Sequence, residues 1–411
     1  MDVVKNIFKV GPVVDGESFI GCEDVLTRLR NNIFSDCNSL SVVGMHRMGK
    51  TSLLNGIFRE SREREEFISV FLDMQEYNHN SGDDSDYNEV LIGIIGEVEN
   101  EIERKEIAPD KLYFLQKFKK ARVGSNDFRQ NFKKIFRELK EKFNLNTLLI
   151  MDEFDAAEKI FTQAADYEFF RTLVNPTYGT ILILISRRLL YMIERRNENN
   201  STFHGVFGNF SVIGFSENDI KTFRKILAER YEIDLTKEQM ERIRYYSGRS
   251  PYIYSFFGKY LVDQKRENAA DFDVDEIYKN NPVTVTQYAD TLFSRLEKDK
   301  HLAKLIGVIL GPKIYVTPDD VNVLKSMGYL NDSQDGYSEI LSGYFTDYVK
   351  SKHFKDDSWN NILSVDTTLK DLIKKEFGEL SDTEWKHYME EAYSKFESCE
   401  FSDAQYQKNV N

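Results

Sequence analysis

Eight consecutive residues, Gly44-Met-His-Arg-Met-Gly-Lys-Thr51, constrain the fold more tightly than any other feature of the chain. Two glycines let a backbone curl so that its N–H groups face inward, and a lysine and a hydroxyl follow directly. The pattern G-x-x-x-x-G-K-[ST] is a phosphate cradle, which needs a buried strand before it and a helix N-terminus after it. Both flanks fit. Leu40–Val43 is a short apolar run that reads as a buried strand, although its brevity leaves helix open. From Thr51 to Phe58, Leu53, Leu54, Ile57 and Phe58 share one helical face.

The cradle assigns roles to its residues. Gly44, Met45, His46, Arg47, Met48, Gly49, Lys50 and Thr51, with Ser52 behind them, are expected to hold the phosphates of a nucleoside triphosphate, and the cradle by itself does not choose ATP over GTP. Lys50 is placed to reach the β- and γ-phosphates, and the Thr51 hydroxyl to ligate Mg²⁺. His46 reads as a solvent-facing spacer. A second element, Leu148-Leu-Ile-Met-Asp-Glu153, is a hydrophobic strand ending in two acids. The first, Asp152, is assigned to Mg²⁺, and the second, Glu153, to activating a water as general base. Asp155 could help the metal or cap the next helix, and the cap is the preferred reading. Six histidines do not cluster as metal ligands, and no Ser–His–Asp or Cys–His arrangement stands out.

Two further apolar runs, Phe67–Leu72 and Thr180–Ile185, read as strands beside Leu40–Val43 and Thr147–Met151. Helical spacing over Val90–Ile107 and Leu112–Phe143 separates them, and the polar segment Tyr77–Tyr87 reads as a loop. Strands without polar faces, alternating with helices, imply an α/β fold: a parallel sheet covered by helices on both faces. The run Thr180–Ile185 ends in Ser186-Arg187-Arg188. Arg187 could sense the γ-phosphate, reach a neighbouring subunit, or be solvated; Arg171 is a second candidate for the intersubunit role.

A chain of 411 residues needs more than one core. Residues 1–214 are assigned to the P-loop core and 215–282 to a helical lid, with Ser216 as N-cap and Asp219 three residues on. Residues 283–353 read as a winged helix. A strand at Ile314–Val316 follows a Gly311–Pro312 turn, a helix starts at Thr317-Pro-Asp319, and a hairpin is signalled around Asn331, Asp332 and Gly336. Residues 354–411 read as a helical extension, clearest over Thr367–Phe377. Net charge is −13, which counts against a non-specific nucleic-acid binder but leaves room for a local basic patch. Cys22, Cys37 and Cys399 form neither a zinc spacing nor a disulfide framework. No run of about 18 apolar residues suggests a membrane span, and free thiols point to the cytosol.

Together these motifs resemble the AAA+ ATPases, in particular the STAND branch and its archaeal-type relatives, over roughly Val14 to Lys352. Phe19-Ile-Gly-Cys-Glu23 resembles the family's opening motif, which implies that Phe19 and Ile20 pack near the adenine; Cys22 replaces the arginine usual there. Ile185-Ser-Arg187 is similar to the strand-four sensor. Gly248-Arg-Ser-Pro251 is similar to the lid motif, which implies that Pro251 lies against the nucleotide. The resemblance also implies a nucleotide-driven switch that forms homo-oligomers and acts with a sensor or effector protein, in signalling or defence.

Two other readings compete. In an initiator-like ATPase the winged helix would grip DNA, yet Val283–Lys352 holds eight Lys/Arg against nine Asp/Glu. Its recognition helix would carry Asp319, Asp320 and one Lys325, and its wing Asp332 and Asp335, so a structural winged helix is favoured. A scaffold that holds nucleotide without turnover is the third reading, and Glu153 argues against it.

Overall fold

A computed structural model of the protein describes residues 5–12, 19–79, 85–107, 111–194, 202–267, 272–310, 316–332 and 338–353. Residues Met1–Tyr348 form one compact unit; a second begins at Val349, of which the description reaches only to His353. The helical extension read at 354–411, the strand at Ile314–Val316 up to its last residue, and the turn containing Gly336 lie outside the described residues.

The first unit is built on five parallel strands: β1 (Leu40–Val43), β2 (Phe67–Asp73), β3 (Asn146–Asp152), β4 (Thr180–Ser186) and β5 (Gly208–Ser211). Their order is β2-β3-β4-β1-β5. The expected α/β fold with a helix-covered sheet is therefore present. Strands β1 and β4 are buried at every residue, as their lack of polar faces requires. The register brings the motif-bearing ends level. Val43 pairs with Ser186, and Asp73 pairs with Asp152, so the strands carrying the motifs end side by side. The end of β1, between β4 and β5, is where chain order reverses, the usual place for a ligand in an open α/β sheet.

Helix α1 (Glu23–Arg30) leads into β1, and α2 (Lys50–Glu63) follows it. Between β2 and β3 lie α3 (Ser85–Arg104), α4 (Tyr113–Lys120) and α5 (Asn126–Phe143). The long helical stretch read at Leu112–Phe143 is thus two helices, broken where Gly124 takes φ +77 and Ser125 caps α5 by accepting from Phe128 N. Short helices α6 (Ala157–Ile160) and α7 (Ala164–Leu173) precede β4, and α8 (Leu190–Ile193) follows it. An aromatic core joins these helices to the sheet. Phe132 is fully buried, with ring centroids 5.1 Å from Phe136 and 5.6 Å from Phe169. Phe132→Ala should lower unfolding free energy by about 3–5 kcal/mol, read as a lower urea midpoint at unchanged slope.

The remaining helices among the described residues are α9 (Glu217–Tyr231), α10 (Lys237–Ser247), α11 (Pro251–Arg266), α12 (Val274–Asn280), α13 (Pro282–Lys298), α14 (Leu302–Leu310), α15 (Pro318–Met327) and α16 (Gly343–His353). The capping box at Ser216 and Asp219 is present, and Thr317 caps α15 by accepting from Asp320 N. Between α15 and α16, β6 (Leu330–Asp332) pairs antiparallel with β7 (Ser338–Ile340), with Leu330 opposite Ile340.

Candidate phosphate-binding site

The loop from Gly44 to Gly49 leaves β1 and delivers the chain to the N-terminus of α2. A side chain at Gly44 would meet the Val212 carbonyl oxygen at 2.3 Å, so the β1–β5 edge itself demands glycine there. Gly49 caps α2 at φ 86, ψ 9, left-handed backbone in which a side chain is strained. Lys50 folds back over the loop. Its Nζ donates to the Gly44 and Met45 carbonyl oxygens at 2.7 and 2.8 Å. Burial pushes its ammonium down to about 8, against the opposing pull of Glu153, Asp152 and Asp155.

The second element comes to the same place. Thr51 Oγ1 donates to Asp152 Oδ2 at 2.7 Å, joining residues 101 apart in sequence. Asp152 Oδ1 accepts from the Glu153 backbone N–H at 2.8 Å. Burial holds the Asp152 carboxyl above the usual range, despite those two donors. Asp73, its partner across the sheet, adds a like charge that acts the same way. Glu153 sits in left-handed backbone at φ 50 and is also raised by burial, with the Arg187 guanidinium opposing. Arg187 Nη2 lies 3.1 Å from Glu153 Oε2. The pair is close without being aligned, and among the described residues Glu153 Oε2 has no hydrogen-bond donor.

Asp155 is not the helix cap preferred from the sequence. Its carboxylate is held by three arginines. Its Oδ2 accepts from Arg187 N at 2.7 Å and Nε at 3.4 Å. Its Oδ1 accepts from Arg188 Nε at 2.9 Å and from Arg295 Nη2, on α13, at 3.3 Å. Although burial opposes them, these donors hold its carboxyl below the usual range. Asp155→Ala should cost about 3–5 kcal/mol of stability, because three guanidinium groups lose one shared carboxylate. Since the folded pKa is depressed, that contribution is present above the ordinary aspartate range and is lost as pH falls below it. A urea titration of the wild type and the variant at neutral and acid pH checks both parts: the gap between them should narrow in acid.

Lys50, Thr51, Asp152, Glu153 and Arg187 face a cleft of about 290 Å³. Of the residues assigned from sequence, His46, Arg47, Met48, Gly49, Lys50, Thr51, Ser52, Asp152, Glu153, Arg187 and Pro251 line it. Gly44 and Met45 support the loop from behind; Met45 is buried and Gly44 accepts from Lys50. Phe19 and Ile20 stand off the wall, half-buried. The next residues dock instead on α9, where the Cys22 N–H donates to Asp219 Oδ1 at 2.6 Å. Arg171, on α7, does not line the cleft either. His46 is half-buried, not the solvent-facing spacer expected, and burial with Arg47, Lys50 and Arg187 nearby pushes its pKa down to about 4.

Residues not singled out from sequence complete the wall: Lys9, Gly11 and Pro12, with Tyr252 and Ser255 from α11. Ser255, four residues after Pro251, lies on the same helical face and could have been found by spacing; Tyr252 adjoins Pro251 directly. The first three belong to a segment tied to α9. Ile7 N donates to Tyr231 OH at 3.0 Å, and the Phe8 ring lies 5.4 Å from that of Phe223. Nothing local in the sequence signals that tether.

No protein-family model matches the chain, and no curated protein matches it. Among solved structures, the Walker-type ATPase PABY2304 of Pyrococcus abyssi matches with a TM-score of 0.59 at 16% identity, covering 84% of this chain and 99% of that one. Cdc6p of Pyrobaculum aerophilum matches with a TM-score of 0.40 at 13% identity, covering 85% of this chain and 98% of its own. The ORC2 protein of Aeropyrum pernix gives 0.41 and 13%, with 86% and 99% covered. The first match shows that the chain has the fold of a Walker-type ATPase.

Proposed function

We propose that the chain binds ATP with Mg²⁺ in this cleft, hydrolyses it, and uses the nucleotide state as a switch. One observation carries the reading: the Thr51 hydroxyl and the Asp152 carboxylate meet at 2.7 Å on the wall that also holds Lys50 and Glu153. Thr51 and Asp152 are hard oxygen donors of the kind Mg²⁺ takes, and two protein ligands suit an ion that keeps waters and phosphate oxygens. Bound there, Mg²⁺ would neutralise charge on the β- and γ-phosphates.

The residues divide the work. The loop N–H groups and Lys50 hold the phosphates, and the α2 dipole adds to their pull. Glu153 accepts a proton from the water that attacks the γ-phosphorus, as the bond to the β–γ bridging oxygen breaks. Its Oε2, buried with no hydrogen-bond donor among the described residues, is the atom suited to that proton. Arg187 stands beside it as the charge that senses the γ-phosphate.

The switch reading rests on what else touches these groups. We assign 1–214 to the core, 215–282 to a lid, 283–353 to a winged helix and 354–411 to an extension. The lid supplies Pro251 and Tyr252 to the cleft, and the Arg47 guanidinium sits 4.0 Å over the Tyr252 ring. Helix α13 reaches Asp155 through Arg295 and the His46 carbonyl through Tyr288 OH at 3.4 Å. A γ-phosphate drawing on Arg187 would therefore shift the balance of contacts holding α13, which is how a ligand biases two arrangements. Exchange of ATP for ADP is then expected to govern self-association and access of a sensor or effector protein. Measuring mass in solution with ATP, with ADP and with neither tests this: a larger species with ATP alone is expected, and one mass under all three conditions would remove the switch from the proposal. The near-balanced charge of Val283–Lys352 still disfavours DNA recognition by the winged helix. Among the described residues, no helix is long and apolar enough to cross a membrane.

A further inference from the structure

The charge of this chain is unevenly spread. Between Lys111 and Lys142 stand eleven Lys/Arg and three Asp/Glu, a local net charge of +8 in a chain whose total is −13. The structure gathers that segment into the α4–α5 hairpin. One face of α5 is committed to the core through Phe128, Phe132, Ile135, Phe136 and Leu139. The opposite face carries Lys133, Lys134, Arg137 and Lys140, and α4 adds the exposed Lys117 and Lys120. Among the described residues, none of these six has a carboxylate within ion-pair distance. Three acids of the neighbourhood pair with other cations, Glu99 with Lys119, Asp166 with Arg129 and Glu138 with Lys142, and Asp127 and Glu141 also stand on α5.

Such a face is costly to keep. Arg129, Lys133 and Arg137 follow one another at i, i+4, where like charges weaken the helix that bears them. Burial and the Arg137 charge hold the Lys133 ammonium below its usual value. The cations are also interleaved with rings. Lys134 Nζ lies 5.3 Å from the Phe114 ring centre, Lys117 Nζ 4.5 Å from that of Tyr113, and Arg137 5.2 Å from that of Tyr178. Tyr113 itself is 55% exposed. A helix of this length spans about 27 Å, long enough to meet several successive phosphates. Aromatic rings among cations on a face with a large surplus of positive charge match a polymer of regularly spaced negative charge better than a folded acidic protein, whose carboxylates alternate with cations of its own.

We propose that the α4–α5 hairpin is a docking surface for the phosphate backbone of a nucleic acid, separate from the cleft and from the winged helix. The contact is electrostatic, so its affinity falls steeply with salt. The test uses the whole chain, a labelled DNA duplex and the matching single strand, with binding followed by fluorescence anisotropy between about 50 and 200 mM salt. Each phosphate contact contributes about 0.9 to the slope of log affinity against log salt. Lys133→Gln, Lys134→Gln and Arg137→Gln combined should reduce that slope by about 2–3 and leave ATP hydrolysis unchanged. If that variant fails to fold, Lys117→Gln with Lys120→Gln, on the exposed side of α4, asks the same question. A preference between duplex and single strand would name the form bound. No salt-sensitive binding to either, wild-type binding by the folded variants, or capture of polyglutamate in place of DNA would each overturn the proposal.

Discussion

Glu153→Gln should leave ATP bound and slow its hydrolysis by about 10²–10⁴-fold, the usual contribution of a positioned general base. Glutamine keeps the size of the side chain and can still sit near Arg187, 3.1 Å away in the wild type. What it cannot do is accept a proton from water. The surrounding contacts predict little loss of fold, because both side chains of the Arg187–Glu153 pair are about a quarter exposed, at 26% and 27%, and such a pair contributes little. The variant should therefore accumulate the ATP-bound state, and its mass with ATP should match the wild-type assembly without decaying as ATP is consumed. Single-turnover hydrolysis alongside equilibrium binding separates the two effects. Equal hydrolysis by variant and wild type would remove Glu153 from the mechanism.

Lys50→Ala acts on the other half of the site. Its ammonium is the charge placed nearest the loop carbonyls, where phosphates would take over as its partners. Charge-assisted hydrogen bonds are worth roughly 1.5–3 kcal/mol, so losing one should weaken ATP binding by about 10- to 150-fold. Thermal stability should barely change. Burial lowers the Lys50 pKa to about 8, which means that the charged group is less comfortable in the fold than in water and does not hold it together. Calorimetric titration of ATP beside a melting curve checks both parts. An unchanged affinity would put the phosphates somewhere else.

How far the sequence alone reached depends on whether the interactions are local. Strands β1 to β4 were legible because they are apolar at nearly every position, and the P-loop because its glycines answer backbone demands within six residues. Strand β5 was not. Gly208–Ser211 buries only Phe210, so it offers neither an apolar run nor alternation over enough residues. Thr51 and Asp152 could be paired in advance because each carries a recognisable flank. Asp155 could not be placed, since its partners come from β4 and, 140 residues away, from α13. The strap from Lys5 to Pro12 escaped for the same reason: its anchor, Tyr231, is 224 residues from Ile7. Phe19 and Ile20 show the converse, where the motif was visible but its neighbours bind Asp219 instead of facing the cleft. The basic hairpin was hidden by the total charge, which averages it against an acidic remainder.

One nucleotide must be shared by the loop and the two strand-end acids for any of this chemistry to run. A structure solved with a non-hydrolysable ATP analogue and Mg²⁺ measures this directly. The β- and γ-phosphate oxygens should lie within hydrogen-bond distance of Lys50 Nζ, the ion between Thr51 Oγ1 and Asp152, and Glu153 facing the γ-phosphorus. A nucleotide bound elsewhere, or phosphates in the cleft that leave Lys50 on the Gly44 and Met45 carbonyls, would contradict it.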